Sequence, residues 1–435
     1  MSQASTTRRK STFAIETHGC KLNQADSLRL AREFVAAGYV RVSADGPADV
    51  YVLNSCTVTH VADRKARHAL RAARRRNPDA LVVATGCYPQ RAPDDLTALD
   101  EVDLVLGNPD KESLVRRVTD LRGDRLEDWE EEPFMALDGR TTRTRAMVKI
   151  QEGCDQVCAY CIVPRVRGRE RSVPLDDIVA DIARCVGEGY REVVLTGTQL
   201  GTYGFEWPEI SLTDLVKAVL RRTDVQRLRV SSLQPQEISG ELLELWGDER
   251  LCPHFHVPLQ SGSDAVLERM RRRYTSEMYQ DAVERVRARV EDVSITTDVI
   301  VGFPGETEDD FRRTVDLCEA VGFSDMHVFP YSPRPGTSAA VYGGQVAPAV
   351  KAERVRTLMA LASDQSRRFR GRFIGTERPV LWERTVDMSS VEVWSGLTDN
   401  YIRAYAPSSE DIANRVTAAR LLSVRGDGME SRILR

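Results

Sequence analysis

The first third of the chain repeats one alternation three times. A short run of β-branched and apolar residues leads into a polar turn carrying a cysteine, and a longer stretch of helical periodicity follows. Thr12–Glu16 leads to Cys20, Asp49–Leu53 to Cys56, and Leu81–Ala84 to Cys87. Alternation of this length predicts βαβ units, whose crossovers make the strands parallel and align their C-terminal ends on one edge. Three thiols then meet on that edge. Residues 1–125 are read as a small doubly wound α/β domain with a parallel sheet, and residues 126–143, which are polar and acidic, as a linker.

From Arg145 the alternation continues with strand-like runs at 146–151, 192–196, 227–231, 254–258, 294–301 and 325–328, separated by helical stretches. Such units predict an incomplete parallel (β/α) barrel over residues 144–370, with chemistry just after the strands. Beyond an Arg-rich helix ending near Phe373 the period shortens. Runs at 377–383, 391–395, 401–405 and 414–423 predict a small all-β barrel within residues 371–435.

Composition agrees with this division. A chain of 435 residues suggests roughly three domains at ~150 residues each. No apolar run approaches the ~18 residues of a membrane span, so a cytoplasmic, membrane-free protein is expected. In a reducing compartment nine cysteines are metal ligands or buried thiols rather than disulfides. A formal charge of −4 argues against coating nucleic acid through bulk positive charge, but it conceals opposed segments. Arg64, Lys65, Arg67, Arg71, Arg74, Arg75 and Arg76 crowd one predicted helix, and residues 127–132 form an acidic run. The basic run is either a solvated helix face or part of an RNA footprint.

The sharpest local signal is Cys154, Cys158 and Cys161. Three thiolates hold three irons of a cubane and, with no fourth cysteine adjacent, leave one iron open. An open iron chelates the amino and carboxylate groups of S-adenosylmethionine, and an electron passed into the sulfonium breaks the S–C5′ bond to give a 5′-deoxyadenosyl radical. Tyr160 is expected to pack against cluster or adenine. A structural zinc site and buried, unreactive thiols are the competing readings. Cys20, Cys56 and Cys87 are weaker singly, yet each follows a strand beside Gly or Asn, which lets backbone amides approach cluster sulfides. A second cluster is expected there, while Cys185, Cys252 and Cys318 are read as structural.

These motifs resemble those of the radical S-adenosylmethionine methylthiotransferase family over essentially the whole chain. The resemblance rests on Gly19–Gln24, Asn54–Val58, Thr85–Tyr88, Cys154 to Pro164, and Arg167–Glu170. It implies an N-terminal methylthiotransferase domain, a radical barrel and a C-terminal RNA-binding TRAM domain. It further implies two [4Fe–4S] clusters: the first three cysteines would hold the one that supplies sulfur, and the second three the one that cleaves S-adenosylmethionine. Two molecules of S-adenosylmethionine would be consumed, one methylating a sulfide and one activating C2 of an adenosine in tRNA. An electron donor such as flavodoxin or ferredoxin and a sulfur source would be external partners.

Within the family the chain looks most like the branch acting on N6-threonylcarbamoyladenosine next to the anticodon, from Cys20–Gln24, Thr57–Thr59 with Ala62–Lys65, and Leu195–Gly204. Pro89, Val173 and Gln199 depart from the expected pattern. Enzymes acting on isopentenyladenosine, relatives that methylthiolate a ribosomal-protein aspartate, and a non-catalytic iron–sulfur module docking on tRNA remain the alternatives.

Other strand ends are assigned from barrel position. Gly197, Gln199, His256, Gln260, Ser261 and Asp298 are expected to face S-adenosylmethionine or the target base, with Gly302 and Gly305 at the strand end after Asp298, which would equally shape a βα turn. Arg165 and Arg167, in an alternating series with Arg169 and Arg171, are expected to clamp phosphate or the threonyl carboxylate. Arg64, Arg67, Arg71, Arg372 and Arg403 complete the expected RNA contacts.

Overall fold

The computed structural model describes residues 10–123, 144–388 and 391–434. The acidic run at 127–132 lies outside them, as does the whole of the expected linker, residues 126–143. The chain divides into two units, one of residues 1–142 with Arg165–Gly168, the other of Arg143–Pro164 with Arg169–Arg435. Among the described residues no helix is long and apolar enough to cross a membrane.

The first unit is a five-stranded parallel sheet: β1 Thr12–Thr17, β2 Val40–Arg41, β3 Val50–Ser55, β4 Leu81–Gly86 and β5 Leu104–Leu106, in the order β2-β1-β3-β4-β5. Every residue of β3 is buried, because a central parallel strand is covered on both faces. Val50 and Val52 point to one face, under Leu30 and Phe34 of α1 (Lys21–Ala36) and Leu114 and Val118 of α3 (Leu114–Arg122). Tyr51 and Leu53 point to the other, under Ala66, Ala69, Leu70 and Ala73 of α2 (His60–Arg76). That spacing is one helical stripe, so the arginines of α2 fall away from the sheet. Thr59 caps α2, accepting from the Ala62 amide at 3.2 Å.

In the second unit six parallel strands follow in chain order: β6 Arg145–Lys149, β7 Glu192–Thr196, β8 Arg227–Val230, β9 His254–His256, β10 Ser294–Val301 and β11 Asp325–Pro330. They form two three-stranded sheets, joined by parallel bridges Leu228–Leu251 and Ser232–His256. No ladder joins β6 to β11 among the described residues, which leaves the run open. Glu192 is buried at the start of β7. Burial alone would raise its pKa, but Arg229 and Arg227 hold it down to about 2.

A closed five-stranded barrel ends the unit: β12 Glu377–Met388, β13 Val391–Thr398, β14 Arg403–Ala406, β15 Val416–Arg425 and β16 Gly428–Ile433, ordered β12-β13-β14-β16-β15. Its core gathers Val380, Trp382, Ala404, Leu421 and Met429 against Phe369 from the preceding helix, Pro348–Gly371, and Phe373 from the turn after it. Arg227 donates to the carbonyls of Leu397 and Thr398, and Arg229 to that of Asp399, tying this barrel to the parallel strands. The fifth strand was not expected. Tyr401, expected in a strand, takes φ +71° instead and stacks on His254 at 4.2 Å.

Candidate active site

β1, β3 and β4 are neighbours in one parallel sheet, so the turns carrying Cys20, Cys56 and Cys87 share an edge. Gly19 lies at φ +118°, and a Cβ there would stand 2.5 Å from the Cβ of Cys56. Gly86 lies at φ +104°, where a Cβ would stand 2.5 Å from the carbonyl oxygen of Ser55. Both cysteine turns therefore close on the central one only because glycine precedes each cysteine. Cys20 is exposed, Cys56 half-buried and Cys87 buried. The Val58 amide donates to the Cys56 sulfur at 3.4 Å, and Asn108 Nδ2 to the Cys87 sulfur at 3.6 Å. Burial pushes the Cys56 thiol up to about 12, and Cys87 and Cys20 add to the rise, so three thiolates gather here only with a positive partner.

In the second unit Cys154 follows a two-residue strand, Gln151–Glu152, and Gly153. The Gln156 amide donates to the Cys154 sulfur at 3.3 Å. The Ala159 amide donates to the Met270 carbonyl at 2.9 Å and the Ala159 carbonyl accepts from Ala339 at 2.8 Å, fixing the loop between Cys158 and Cys161. Burial, with a smaller contribution from Cys158, raises the thiols of Cys154 and Cys161 to about 11 and about 12. Arg272 reaches the same loop: Nη1 donates to the Cys158 sulfur at 3.3 Å, Nη2 to Gln234 at 2.9 Å, and Nε to the Tyr274 hydroxyl at 3.2 Å.

A single zinc held at ~2.3 Å by thiolates needs sulfurs roughly 4 Å apart. Among the described residues neither cysteine trio brings its sulfurs within 4.8 Å of one another. In each trio the neighbouring thiols nevertheless push one another's pKa up, so the three share one locale.

The other expected cofactor contacts fall into two groups. Gln199 lies on the Cys154 side, with Oε1 3.9 Å from the Cys154 sulfur and its amide on Glu237. Gly197 packs over Gln151, where a Cβ would sit 3.0 Å from a carbonyl oxygen. Burial raises Glu237 to about 7. Tyr160 meets Phe303 edge-on at 6.4 Å. Further along the strand ends, His256 Nε2 lies 3.3 Å from Asp298 Oδ2, and His327 Nδ1 lies 3.1 Å from Asp298 Oδ1. Gln260 adopts φ +66° and pairs its amide with the Asp298 carbonyl at 2.9 Å. Ser261 is buried, with its hydroxyl 3.2 Å from that of Thr314 and accepting from Ser263, so it serves the turn itself. Sequence reasoning missed Arg272, Gln234, Glu237 and His327. Only His327, on the strand beside Asp298, carried a signal in the period of its strand.

The arginines behave differently from one another. Arg165 and Arg167 lie on a short helix, Val163–Arg167, with Pro164 in its first turn, whereas Arg171 begins a two-residue strand, Arg171–Ser172. Arg165 is exposed on it. Arg167 is buried, donating to Asp26 at 3.1 Å and to Asn23 within its own unit, which corrects its expected role as an RNA or carboxylate clamp. Lys111 donates to the same Asp26 oxygen at 2.7 Å. On α2, Arg64 is exposed and lines a groove of about 490 Å³ with His18, Lys65 and His68. Arg67 donates to the Tyr88 hydroxyl at 2.5 Å, and Arg71 lies 3.6 Å from Glu101. Arg372 is exposed over Phe369 and Phe373, whereas Arg403 is shared between Glu383 and Ser395.

Parallel strands with a three-cysteine loop after the first of them define a radical S-adenosylmethionine protein. The model of that superfamily matches residues 148–318, and that of an uncharacterised family, UPF0004, matches residues 12–107. The fold resembles that of the radical S-adenosylmethionine methyltransferase TsrM from Kitasatospora setae, with TM-score 0.57 at 16% identity over 76% of this chain and 77% of that one. Threonylcarbamoyladenosine tRNA methylthiotransferase of Thermotoga maritima is 39% identical over 97% of this chain and 96% of its own. A tRNA-2-methylthio-N(6)-dimethylallyladenosine synthase of Syntrophotalea carbinolica is 33% identical over 94% and 97%. The chain belongs to the radical S-adenosylmethionine tRNA methylthiotransferase family.

Proposed function

We propose that this protein is a cytoplasmic tRNA methylthiotransferase that replaces the C2 hydrogen of N6-threonylcarbamoyladenosine, next to the anticodon, by a methylthio group. The observation that carries the reading is the pair of cysteine trios, each on a turn system at strand C-terminal ends and each too widely spaced for one ion. Cys154, Cys158 and Cys161 would hold the radical cluster, and Cys20, Cys56 and Cys87 the auxiliary one. When bound, the clusters and S-adenosylmethionine supply the electron, the radical and the sulfur. The chain's own residues hold and orient them: Gly19 and Gly86 bring the auxiliary turns together, and the Gln156 amide and Arg272 direct donors at the Cys154 and Cys158 sulfurs. Exposed Arg64 and Arg372 are the RNA contacts this reading favours, with Arg165 placed for an anionic substituent. An external flavodoxin or ferredoxin would deliver electrons, and a separate donor would replace the sulfur.

The substrate branch follows the names of the relatives together with the motifs at Cys20–Gln24 and Leu195–Gly204. Purified, reconstituted enzyme is given tRNA bearing threonylcarbamoyladenosine and, separately, isopentenyladenosine, and nucleosides are read by mass spectrometry. Methylthio product on the first tRNA is expected. Product only on the second would overturn the branch, and 5′-deoxyadenosine without any methylthio product would overturn the reaction.

A further inference from the structure

Arg272 is half-buried and, among the described residues, pairs with no carboxylate within 4.0 Å, although its charge acts on Glu237. Its donors go to neutral or sulfur partners instead: Gln234 at 2.9 Å, the Tyr274 hydroxyl at 3.2 Å and the Cys158 sulfur at 3.3 Å. The guanidinium also lies over the Tyr274 ring at 4.8 Å. Tyr274 is itself held by the carbonyls of Pro258 and Leu259 at 2.8 and 2.9 Å, and Gln234 by Gln156 at 3.2 Å. The charge is thus fixed in one place by three neighbours. A cation partly withdrawn from water without a paired anion carries a desolvation cost, which a nearby counter-charge offsets. Here the group it faces is Cys158.

We infer that Arg272 is a positioning residue for the cluster on Cys154, Cys158 and Cys161, whose net negative charge is its counter-ion, and that it raises that cluster's reduction potential. The inference rests on the ligand assignment proposed above. A cubane with three thiolates is anionic when oxidised and gains a further negative charge when it accepts one electron from an external donor. A fixed cation donating to a ligand sulfur stabilises the reduced form more than the oxidised one, and hydrogen bonds to sulfur and net charge are the levers that set such potentials. Gln234 and Tyr274 act through Arg272 by holding its plane.

The test uses the full chain carrying Cys20→Ala, Cys56→Ala and Cys87→Ala, so that only the radical cluster remains, titrated anaerobically with dithionite and followed by electron paramagnetic resonance. Arg272→Met and Arg272→Gln are each expected to make reduction at least about tenfold less favourable, a shift of about 59 mV to more negative potential for one electron. Arg272→Lys, which keeps the charge, is expected to recover part of the shift. Circular dichroism and iron content identify variants that retain the fold and cluster. Unchanged potentials in Arg272→Gln and Arg272→Met with four irons bound would overturn the inference. Loss of all iron in the triple-cysteine background while Arg272 is intact would overturn the ligand assignment first, and this inference with it.

Discussion

Arg167 Nη1 donates to Asp26 Oδ2 at 3.1 Å, although 141 positions separate them in sequence. Lys111 shares that oxygen at 2.7 Å, and all three side chains are at most 4% exposed. The segment Arg165–Gly168, which follows the radical-site cysteines in sequence, is thereby counted with the unit that carries the auxiliary ones. Asp26→Asn would leave two buried cations facing a neutral amide. A loss of about 3–5 kcal/mol is expected for the first unit, measured by urea denaturation. A change under about 1 kcal/mol would show that the network is solvated and not structural.

Iron counting checks the two sites independently. Anaerobic reconstitution should give about eight irons per chain, and about four after joint replacement of Cys20, Cys56 and Cys87. Full iron content in that variant would remove the auxiliary site.

The two trios should also separate by function. Cys158→Ala is expected to abolish 5′-deoxyadenosine formation, while Cys56→Ala retains it and loses methylthio product. Radical formation persisting in Cys158→Ala would reverse the assignment.

Much of this was legible in the sequence for a physical reason. Strands β3 and β4 are buried on both faces, so they read as unbroken apolar runs, and the cysteine turns at their ends could be placed from them. The edge strands β2 and β5 have two and three residues and left no comparable run. Arg165, Arg167, Arg169 and Arg171 fall at every second position and imitate a strand edge. Pro164 at the start and Gly168 at φ +75° make the first part of that stretch a short helix, Val163–Arg167, which turns Arg165 and Arg167 to different surroundings, while Arg171 lies in a two-residue strand. β16 was missed because Gly428–Ile433 alternates small, polar and charged residues with little apolar content. Arg272 carries no local signal at all, since its meaning comes from partners 38 and 114 positions away.

Glu237 gives a pH dependence. Burial raises its pKa to about 7 from an ordinary value near 4.5. Between those values the folded protein holds a proton that the unfolded chain has released, so the folded state is favoured at low pH and loses that advantage as pH rises toward 7. The loss is about 3 kcal/mol at most. Glu237→Gln, which keeps an amide beside Gln199, should flatten stability between pH 5 and 7 when denaturation midpoints are compared. An unchanged slope would mean that the carboxyl ionises normally in the folded protein.

The substrate branch makes a demand on Arg165. With Arg167 committed to Asp26 and Asn23, the exposed guanidinium of Arg165 is the member of the pair still available to an anionic N6 substituent. A guanidinium can hold a carboxylate through two parallel hydrogen bonds, and charged hydrogen bonds of this kind are worth about 1.5–3 kcal/mol. Arg165→Ala should therefore raise KM for tRNA bearing threonylcarbamoyladenosine by about tenfold or more, with little change for a tRNA whose substituent lacks the carboxylate. The uncoupled formation of 5′-deoxyadenosine should be unaffected, because S-adenosylmethionine binding does not involve this side chain in the proposed arrangement. Arg165→Lys should recover only part of the loss, since a point charge cannot reproduce the paired geometry. Equal losses on both tRNAs would assign Arg165 to the phosphate backbone instead, and no loss on either would exclude it from the RNA interface.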